Sequence, residues 1–407
     1  MKRLSVIISI IVLAASTLTA QTDVYLQTQR TGMGKTPIFV DHFGPMKGEM
    51  RGDARSIRSI LVKDLEYSGI FEVSGPEDAD SSMTAVARVE ATLGSSGEKL
   101  LLEAQLMDFS SNEVIFNKSY RFSRGALRAV AHRLNDEIIH FLVGSSGIAQ
   151  TRILFCRKEG SYKSVFLVDY DGYGQRRLTR GELAVSPKWM DENRFTYTSY
   201  RHGNPDCYIA DLAKGKKWVI SARKGLNIAG SYFAPRDQLA VTMSMSGNSE
   251  IFLIKGSDGS IERRLTRNRA IDCSPSWSAN GAELAFVSDR TGSPQIYVMD
   301  RFGGNVRRLT WGGNYNTSPA WSPDGEMIAY SSREGGLYRL KLISPDGLSE
   351  ETVFEDYLSY EDPSWAPDSR HIAVTVRYGK KPWIVIVDIE TGERRRLVQG
   401  ESPSWSP

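Results

Sequence analysis

Cysteine, histidine and long apolar runs are scarce in this chain of 407 residues, and each shortage excludes a class of protein. The three cysteines, Cys156, Cys207 and Cys273, are odd in number and widely spaced, so no disulfide framework can be assigned. No CxxC pair accompanies the five histidines, which excludes the common zinc motifs. The apolar run near the start, Leu4 to Ala15, is about a dozen residues long, whereas a membrane-spanning helix needs roughly 20.

An excess of one sign of charge is also lacking. The 51 Lys+Arg nearly balance the 48 Asp+Glu, which argues against a broad nucleic-acid-binding surface. Hydrophobic residues at 41% and charged residues at 24% are typical of a folded globular protein. The length predicts two domains.

The first 20 residues have the layout of a secretory signal peptide. Lys2 and Arg3 precede the apolar run, and small and polar residues ending in Thr19-Ala20 follow it. Cleavage there leaves Gln21 first, with no cysteine for lipid attachment. We therefore expect an exported, soluble protein without direct membrane insertion.

A sequence repeat organises the second part of the chain. Its aromatic landmarks are separated by 44, 44, 44, 44 and 40 positions. They are Trp189, Phe233, Trp277, Trp321, Trp365 and Trp405, in copies such as SPSWSANG at Ser274, SPAWSPDG at Ser318 and the terminal SPSWSP at Ser402. Each period contains four short runs with the two-residue alternation of β-strands, which is typical of a β-propeller blade.

Six landmarks predict six blades. The run from Thr151 to Thr179 supplies three strands without an SPxW strand before them, and Pro403 to Trp405 supplies an SPxW strand without followers. The two fragments are expected to complete one blade, which removes free sheet edges. The Pro-Asp-Gly segments are interpreted as tight turns rather than metal ligands, and the aromatics as wedges between blades rather than a ligand-stacking site.

Residues 21–148 lack the repeat and mix helix and strand patterns. The sequence predicts a buried strand at Thr36 to His42 and a helix over Asp53 to Tyr67, followed by a strand at Ile70 to Val73. It then predicts a three-stranded meander and a second helix capped by Ser123. The fold class is therefore mainly β, with a small N-terminal α/β domain at 21–148 and a C-terminal six-bladed propeller at 149–407. His132, His140, Asp136 and Glu137 on the second helix are interpreted as a solvated face.

Two candidate binding regions follow from this organisation. In a propeller the first strand of each blade lies nearest the channel, so the residues just before the SPxW copies should gather at one opening. These candidates are Leu183, Ala184, Asn227, Gly230, Asp272, Cys273, Asn316, Thr317, Tyr360 and Glu361, a polar set with little charge that suits a protein interface. The second region is Asp23, Val24, Tyr25 and Leu26, a short strand-forming segment before the glycine-containing stretch Thr31 to Gly34. It is suited to joining another protein's sheet edge, or else it is an edge strand or a tail.

The order of these parts and the terminal SPSWSP strand resemble the TolB family of periplasmic proteins. Further points of similarity are Val168 to Tyr173 and Tyr297 to Asp300, whereas Phe233 and Met190-Asp191 depart from the family pattern. The resemblance implies a non-catalytic, monomeric component of the Tol-Pal envelope system, without cofactor or metal, that supports outer-membrane integrity and constriction at division. It implies docking of the peptidoglycan-associated lipoprotein at the propeller opening, most directly at Asn227, Gly230 and Cys273, and of an inner-membrane TolA-like protein at the N-terminal segment.

An enzyme is the competing interpretation. Peptidases of the prolyl oligopeptidase type carry similar propellers but need a GxSxG nucleophile motif, which this sequence lacks. A propeller lactonase with a channel metal is the remaining alternative, although the five scattered histidines form no HExxH motif.

Overall fold

The computed structural model describes residues 34–45, 47–78 and 85–407, which form a five-stranded sheet with two helices followed by six four-stranded sheets. The predicted fold class, mainly β with a six-bladed propeller and a small α/β domain, is confirmed. The predicted signal peptide lies outside the described residues.

The N-terminal α/β part packs both helices on one face of its sheet. Strand β1 lies between β2 and β3 and runs parallel to both, and β3, β4 and β5 form the predicted antiparallel meander. Ile57, Leu61 and Leu65 of the first helix are buried in one core with Leu134 and Ile138 of the second. The elements are β1 (Thr36–Val40), α1 (Arg51–Tyr67), β2 (Phe71–Ser74), β3 (Ala87–Ser96), β4 (Lys99–Asp108), β5 (Val114–Phe122) and α2 (Leu127–Val143).

Two predictions for α2 are wrong. Ser123 makes no capping hydrogen bond, because a short 3₁₀ turn at Arg124–Ala126 separates it from the first helical residue, Leu127. The face expected to be solvated is exposed at His140 and half-buried at Asp136 and Glu137, but it is buried at His132, which packs against Tyr170 of the propeller. Asp136 on the same helix accepts hydrogen bonds from the backbone N–H groups of Ala149 and Gln150, which fastens the connection between the two parts.

The propeller contains 24 strands in six blades. Blade 1 is β9 (Ala184–Trp189), β10 (Arg194–Ser199), β11 (Asp206–Asp211) and β12 (Lys216–Ser221); blade 2 is β13 (Asn227–Phe233), β14 (Gln238–Met243), β15 (Glu250–Lys255) and β16 (Ile261–Arg264); blade 3 is β17 (Asp272–Trp277), β18 (Glu283–Ser288), β19 (Gln295–Asp300) and β20 (Arg307–Arg308). Blade 4 is β21 (Asn316–Trp321), β22 (Ile328–Glu334), β23 (Leu337–Ile343) and β24 (Glu350–Thr352); blade 5 is β25 (Tyr360–Trp365), β26 (His371–Tyr378), β27 (Lys381–Asp388) and β28 (Arg394–Gln399); blade 6 is β29 (Glu401–Trp405), β6 (Arg152–Glu159), β7 (Tyr162–Asp169) and β8 (Arg176–Arg177).

The innermost strands form a closed ring, because β9, β13, β17, β21, β25 and β29 each contact the next and β29 contacts β9. Blade 6 joins distant parts of the sequence: Trp405 of β29 pairs with Ile153 of β6. The Trp405 Nε1 group donates a hydrogen bond to Thr151 Oγ1 at 2.7 Å.

The strand register corrects one landmark of the repeat. Tyr232 pairs with Leu239 as Trp277 pairs with Leu284, so Tyr232 and not Phe233 occupies the tryptophan position in blade 2. Phe233 instead packs its ring 5.7 Å from the ring of Trp277 in the next blade. The wedge role of the aromatics is confirmed, since Trp277 lies in one core with residues of blade 2.

The interpretation of the Pro-Asp-Gly segments as turns is also confirmed. In blade 4, the Gly325 N–H donates to the Ser322 carbonyl at 3.0 Å, and Gly325 has a positive φ of 83°. The Asp324 carboxylate accepts the Glu326 N–H at 3.0 Å within the same turn.

The α/β part contacts blades 5 and 6 through a buried polar network. The Tyr170 hydroxyl donates a hydrogen bond to Asp64 of α1, and His132 Nδ1 lies 2.6 Å from the other oxygen of that carboxylate. Arg370 Nη2 donates to the Gly69 carbonyl at 2.9 Å. These contacts fix the α/β part against the turns that follow β25 and β7.

Candidate partner-docking face

The central channel has two different openings. All six inner strands run in the same direction along the channel. Their first residues therefore surround one opening and their last residues surround the other. The turns that contact the α/β part lie on the side where the inner strands end. The opening at the strand starts, here called the mouth, therefore lies on the side away from the α/β part.

The predicted candidates gather at this mouth, but six of the ten, Gly230 among them, are buried beneath its surface. Ala184, Asn227, Asp272, Asn316 and Tyr360 are the first residues of five inner strands, and all five are buried. Because these positions are equivalent in the ring, the five residues lie around one opening. A buried side chain cannot contact a partner directly, so any role for these residues is to position the loops above them.

The buried polar candidates do fasten these loops. Asn227 Nδ2 donates to the Arg223 carbonyl at 2.6 Å, and Asn316 Nδ2 donates to the Gly312 carbonyl at 2.8 Å. Asp272 accepts hydrogen bonds from Asn268 Nδ2 at 2.6 Å, in the loop before its own strand. Each polar side chain thereby ties the linker between two blades to the start of an inner strand.

Gly230 has a packing role. It occupies the position that Pro275 has in the next blade, because both lie in the bulge that follows the first two paired residues of the strand. A Cβ atom at Gly230 would lie 1.9 Å from the Ala240 carbonyl oxygen. The position therefore requires glycine for close backbone approach, whatever the partner.

The remaining candidates, Leu183, Cys273, Thr317 and Glu361, are half-buried around the mouth. Burial raises the pKa of the Cys273 thiol, so this group stays protonated. Glu361 accepts a hydrogen bond from Arg377 Nε at 2.9 Å. These four side chains have partly accessible surface at the channel entrance.

Polar side chains continue into the channel from a strained backbone position. The residue before the proline of the SPxW-like copies has a φ of 53° or 54° in five blades, at Ser186, Ser274, Ser318, Asp362 and Ser402. The Asp362 carboxylate accepts hydrogen bonds from the hydroxyls of Ser318 and Ser402, each at 2.9 Å. Burial lowers the pKa of Lys188, and the charge of Asp362 partly opposes this effect.

Exposed side chains that the sequence analysis missed surround the mouth. The linkers between blades carry Ile271, Trp311, Tyr315 and Tyr357 on the surface. Trp311 is 76% exposed and Tyr357 is 94% exposed, in the linkers before β21 and β25. Their position just before the SPxW copies is a signal that the sequence contains, although the predicted candidates are only the residues nearest each copy.

The second predicted region, Asp23, Val24, Tyr25 and Leu26, lies outside the described residues. Within residues 34–45, 47–78 and 85–407, no three His, Cys, Asp or Glu side chains are grouped so as to hold a metal ion. The same described residues contain no helix of the length and apolar character that crossing a membrane requires.

Comparisons with known proteins agree with one another. A family model described as the TolB beta propeller domain matches residues 140–407. A protein TolB homolog of Chlorobium chlorochromatii is 31% identical over 284 residues, which is 65% of this chain and 64% of that protein. A Tol-Pal system protein TolB of Desulfosudis oleivorans is 33% identical over 290 residues, which is 66% of this chain and 65% of that protein. The chain thus aligns with just under two thirds of the length of these two relatives.

A solved structure extends the similarity to the α/β part. The crystal structure of TolB from Acinetobacter baumannii superposes with a TM-score of 0.81 at 25% sequence identity, covering 92% of this chain and 97% of that one.

Proposed function

The chain belongs to the TolB family, and on that premise we propose that it is a non-catalytic periplasmic scaffold of a Tol-Pal system that docks the peptidoglycan-associated lipoprotein at the mouth. The observation that carries the proposal is the construction of the mouth. Buried polar side chains hold the linkers in place, and the linkers expose aromatic side chains away from the α/β part. Exposed aromatic anchors on rigid supports are typical of the energetic centres of protein interfaces.

The same proposal extends to the cellular role. A protein that binds an outer-membrane lipoprotein at one end and an inner-membrane Tol protein at the other would couple the two membranes, supporting outer-membrane integrity and constriction at division. We place the contact with the inner-membrane TolA-like protein at Asp23 to Leu26.

Calorimetric binding of the soluble domain of the lipoprotein from the same organism tests the docking site. We expect the double variant Trp311→Ala/Tyr357→Ala to bind at least about 30-fold more weakly, since losing even one aromatic anchor costs roughly 2 kcal/mol or more. The matched control is Phe302→Ala, an aromatic that is 56% exposed in the turn after β19, on the opposite side. Equal affinity of the double variant and the wild type would contradict the site.

The N-terminal contact has its own test. Removing residues 22–28 from the mature chain should abolish binding of the periplasmic domain of the TolA-like protein and leave lipoprotein binding intact. Unaltered binding of the TolA-like domain by the shortened chain would refute this part of the proposal.

A further inference from the structure

The loops around the mouth have a charge distribution that differs from that of the whole chain. These mouth loops are the inter-blade linkers 178–183, 222–226, 265–271, 309–315, 353–359 and 400, and the hairpin loops 160–161, 200–205, 244–249, 289–294, 335–336 and 379–380. Within them the exposed cations are Arg180, Arg201, Lys224, Arg267, Arg269, Arg290 and Lys380, whereas Glu355 is the one fully exposed acid. The chain as a whole has a net charge of only +3.

The cations are concentrated on one side of the mouth. Arg180, Arg201, Lys224, Arg267 and Arg269, here called the basic sector, lie in the loops that enter and connect blades 1, 2 and 3. None of the five has an ion pair within the part of the chain that the structure describes. The exposed Trp311 and Tyr357 lie in the next two linkers, so the basic sector and the aromatic anchors are neighbours around the ring.

The acidic side chains of this region lie below the cations. Glu182 is buried and accepts a hydrogen bond from the Ser199 hydroxyl. Glu250 is buried and pairs with Arg264 at 2.6 Å, and Asp272 is buried and pairs with Arg290 at 3.1 Å. These carboxylates are used to hold the loops, which leaves the outer layer of the basic sector positive.

The loops of the basic sector are held in fixed positions. Asn248 Nδ2 donates to the Asn268 and Ala270 carbonyls at 2.9 and 2.7 Å, which clamps the linker that carries Arg267 and Arg269. Asn204 Nδ2 donates to the Arg223 carbonyl at 3.3 Å, beside Lys224. Loops that are already fixed favour recognition of a complementary charged surface, because little loop entropy is lost on binding.

The composition of the sector favours a protein partner over a lipid surface. Four of its five cations are arginines, and the exposed Ile271 lies beside Arg269 in the same linker. Arginine together with apolar and aromatic side chains is typical of protein interfaces, from which lysine is depleted.

We propose that the basic sector docks an acidic patch on the protein that binds the mouth, and that this charge pairing accelerates and orients the encounter. The inference rests on the proposed function, because it assigns the chemistry of the surface that the lipoprotein presents there. The partner would place carboxylates over blades 1 to 3 and an apolar surface over Trp311 and Tyr357.

Association kinetics measured against salt concentration test the proposal, with the soluble domain of the lipoprotein as the probe. For the wild type we expect the association rate constant to fall at least tenfold between about 50 and 500 mM NaCl, because salt screens the attraction between exposed charges. The variant Arg267→Glu/Arg269→Glu should lose at least tenfold in association rate at low salt and show a flatter salt dependence.

The matched control is Arg55→Glu/Lys63→Glu, which makes the same change in net charge at two exposed positions of α1. This control should associate like the wild type. Association that does not depend on salt, or equal losses of association rate in both double variants with unchanged melting temperatures, would overturn the role proposed for the basic sector. Either result would leave the proposed function intact. No binding by the wild type would instead overturn the proposed function, and with it this choice of partner.

A vesicle-binding experiment distinguishes a membrane surface from a protein as the partner of the basic sector. Neither the wild type nor the control should co-sediment with vesicles of equal parts phosphatidylglycerol and phosphatidylcholine. Suppose that the wild type co-sediments with the vesicles, that Arg267→Glu/Arg269→Glu does not, and that both associate equally with the lipoprotein. This result would overturn the assignment of a protein as the partner of the basic sector.

Discussion

At the scale of single residues, Asp64 joins the two parts of the molecule. Its buried carboxylate accepts a hydrogen bond from the Tyr170 hydroxyl of the propeller and lies 2.6 Å from His132 Nδ1 of α2. Burial raises the pKa of the Tyr170 phenol well above its ordinary range, and Asp64 raises it further, so the hydroxyl stays protonated and donates. The Arg395 guanidinium lies 4.1 Å from the Tyr67 ring centre beside this network.

Replacing Tyr170 by phenylalanine should destabilise the protein by about 1–3 kcal/mol, because the buried Asp64 oxygen loses its donor without any change in packing. Denaturant unfolding at pH 7 measures the difference. The control is Tyr173→Phe, which removes the hydroxyl of a side chain that is 62% exposed and three positions away. Equal stability of both variants would show that the network does not stabilise the contact.

The acid sensitivity of the protein should depend on Asp388. Burial raises the pKa of this carboxyl, but the hydrogen bonds from Arg370, the charge of His371 and the charge of Arg370 outweigh burial, so its pKa lies below its ordinary value of 3.8. The ionised carboxylate accepts hydrogen bonds from Arg370 Nε at 3.0 Å and Nη2 at 2.7 Å. A depressed carboxyl pKa stabilises the fold above pH 3.8, and that contribution is lost as the pH falls through the folded-state value.

The variant Asp388→Asn should therefore be less stable than the wild type at pH 7, by on the order of 1–3 kcal/mol. The stability difference should begin to shrink as the pH falls below 3.8, where the carboxyl of the unfolded chain is protonated, and should disappear once the pH is below the lowered pKa of the folded protein. Unfolding free energies of both proteins between pH 7 and about pH 3 provide the measurement. A difference that stays constant over this range would contradict the assignment of the acid-sensitive group.

At the scale of the elements, the sequence predicts strands and turns well, because each blade repeats the same two-residue alternation and the same turn chemistry. It predicts the exact register less well. Tyr232 and Phe233 are adjacent aromatics, and only the position of the bulge in β13 decides which one takes the tryptophan place. The burial of His132 was also beyond the sequence, since nothing in α2 indicates that a tyrosine from a loop 38 positions later will cover it.

For the predicted site, too, the sequence indicates the position of residues along the chain better than their burial. The sequence pattern locates the starts of the inner strands, but alternation within a strand does not tell which side chains the neighbouring loops will cover. The place of Asn227 and Asn316 just before the SPxW copies predicts contact residues at the mouth, but their buried amides instead bind linker carbonyls. The exposed residues lie a few positions earlier, in linkers whose position before each SPxW copy is periodic but whose amino-acid sequence is not.

The β29 strand should determine the stability of the whole propeller. Trp405→Ala removes a buried side chain that packs in one core with Phe155, Phe166 and Ala366, so we expect a loss of about 3–5 kcal/mol. Trp311→Ala is the control, because Trp311 is 76% exposed and its removal should change stability by no more than about 0.5 kcal/mol. Thermal and denaturant unfolding of the two variants give the comparison. Similar stabilities of the two variants would mean that blade 6 closes the ring without stabilising the propeller.

At the scale of the whole molecule, the α/β part lies at one end of the channel, and none of its contacts among the described residues reaches the other end. The α/β part covers the turns of blades 5 and 6 at the side where the inner strands end, through Asp64, Tyr170 and Arg370. The mouth at the strand starts presents the basic sector next to exposed aromatic side chains. This separation would allow a partner to bind at the mouth without disturbing the contact between the α/β part and the propeller at the opposite end.

Hydrogen–deuterium exchange of the full mature chain, with and without saturating soluble lipoprotein domain, tests this account most directly. We predict slower exchange on binding in the linkers 265–271, 309–315 and 353–359, and no change in α1, α2 or the turns after β7 and β25. Protection confined to the α/β part or to the opening at the strand ends, with the three linkers exchanging as in the free protein, would contradict the assignment of the mouth as the docking face.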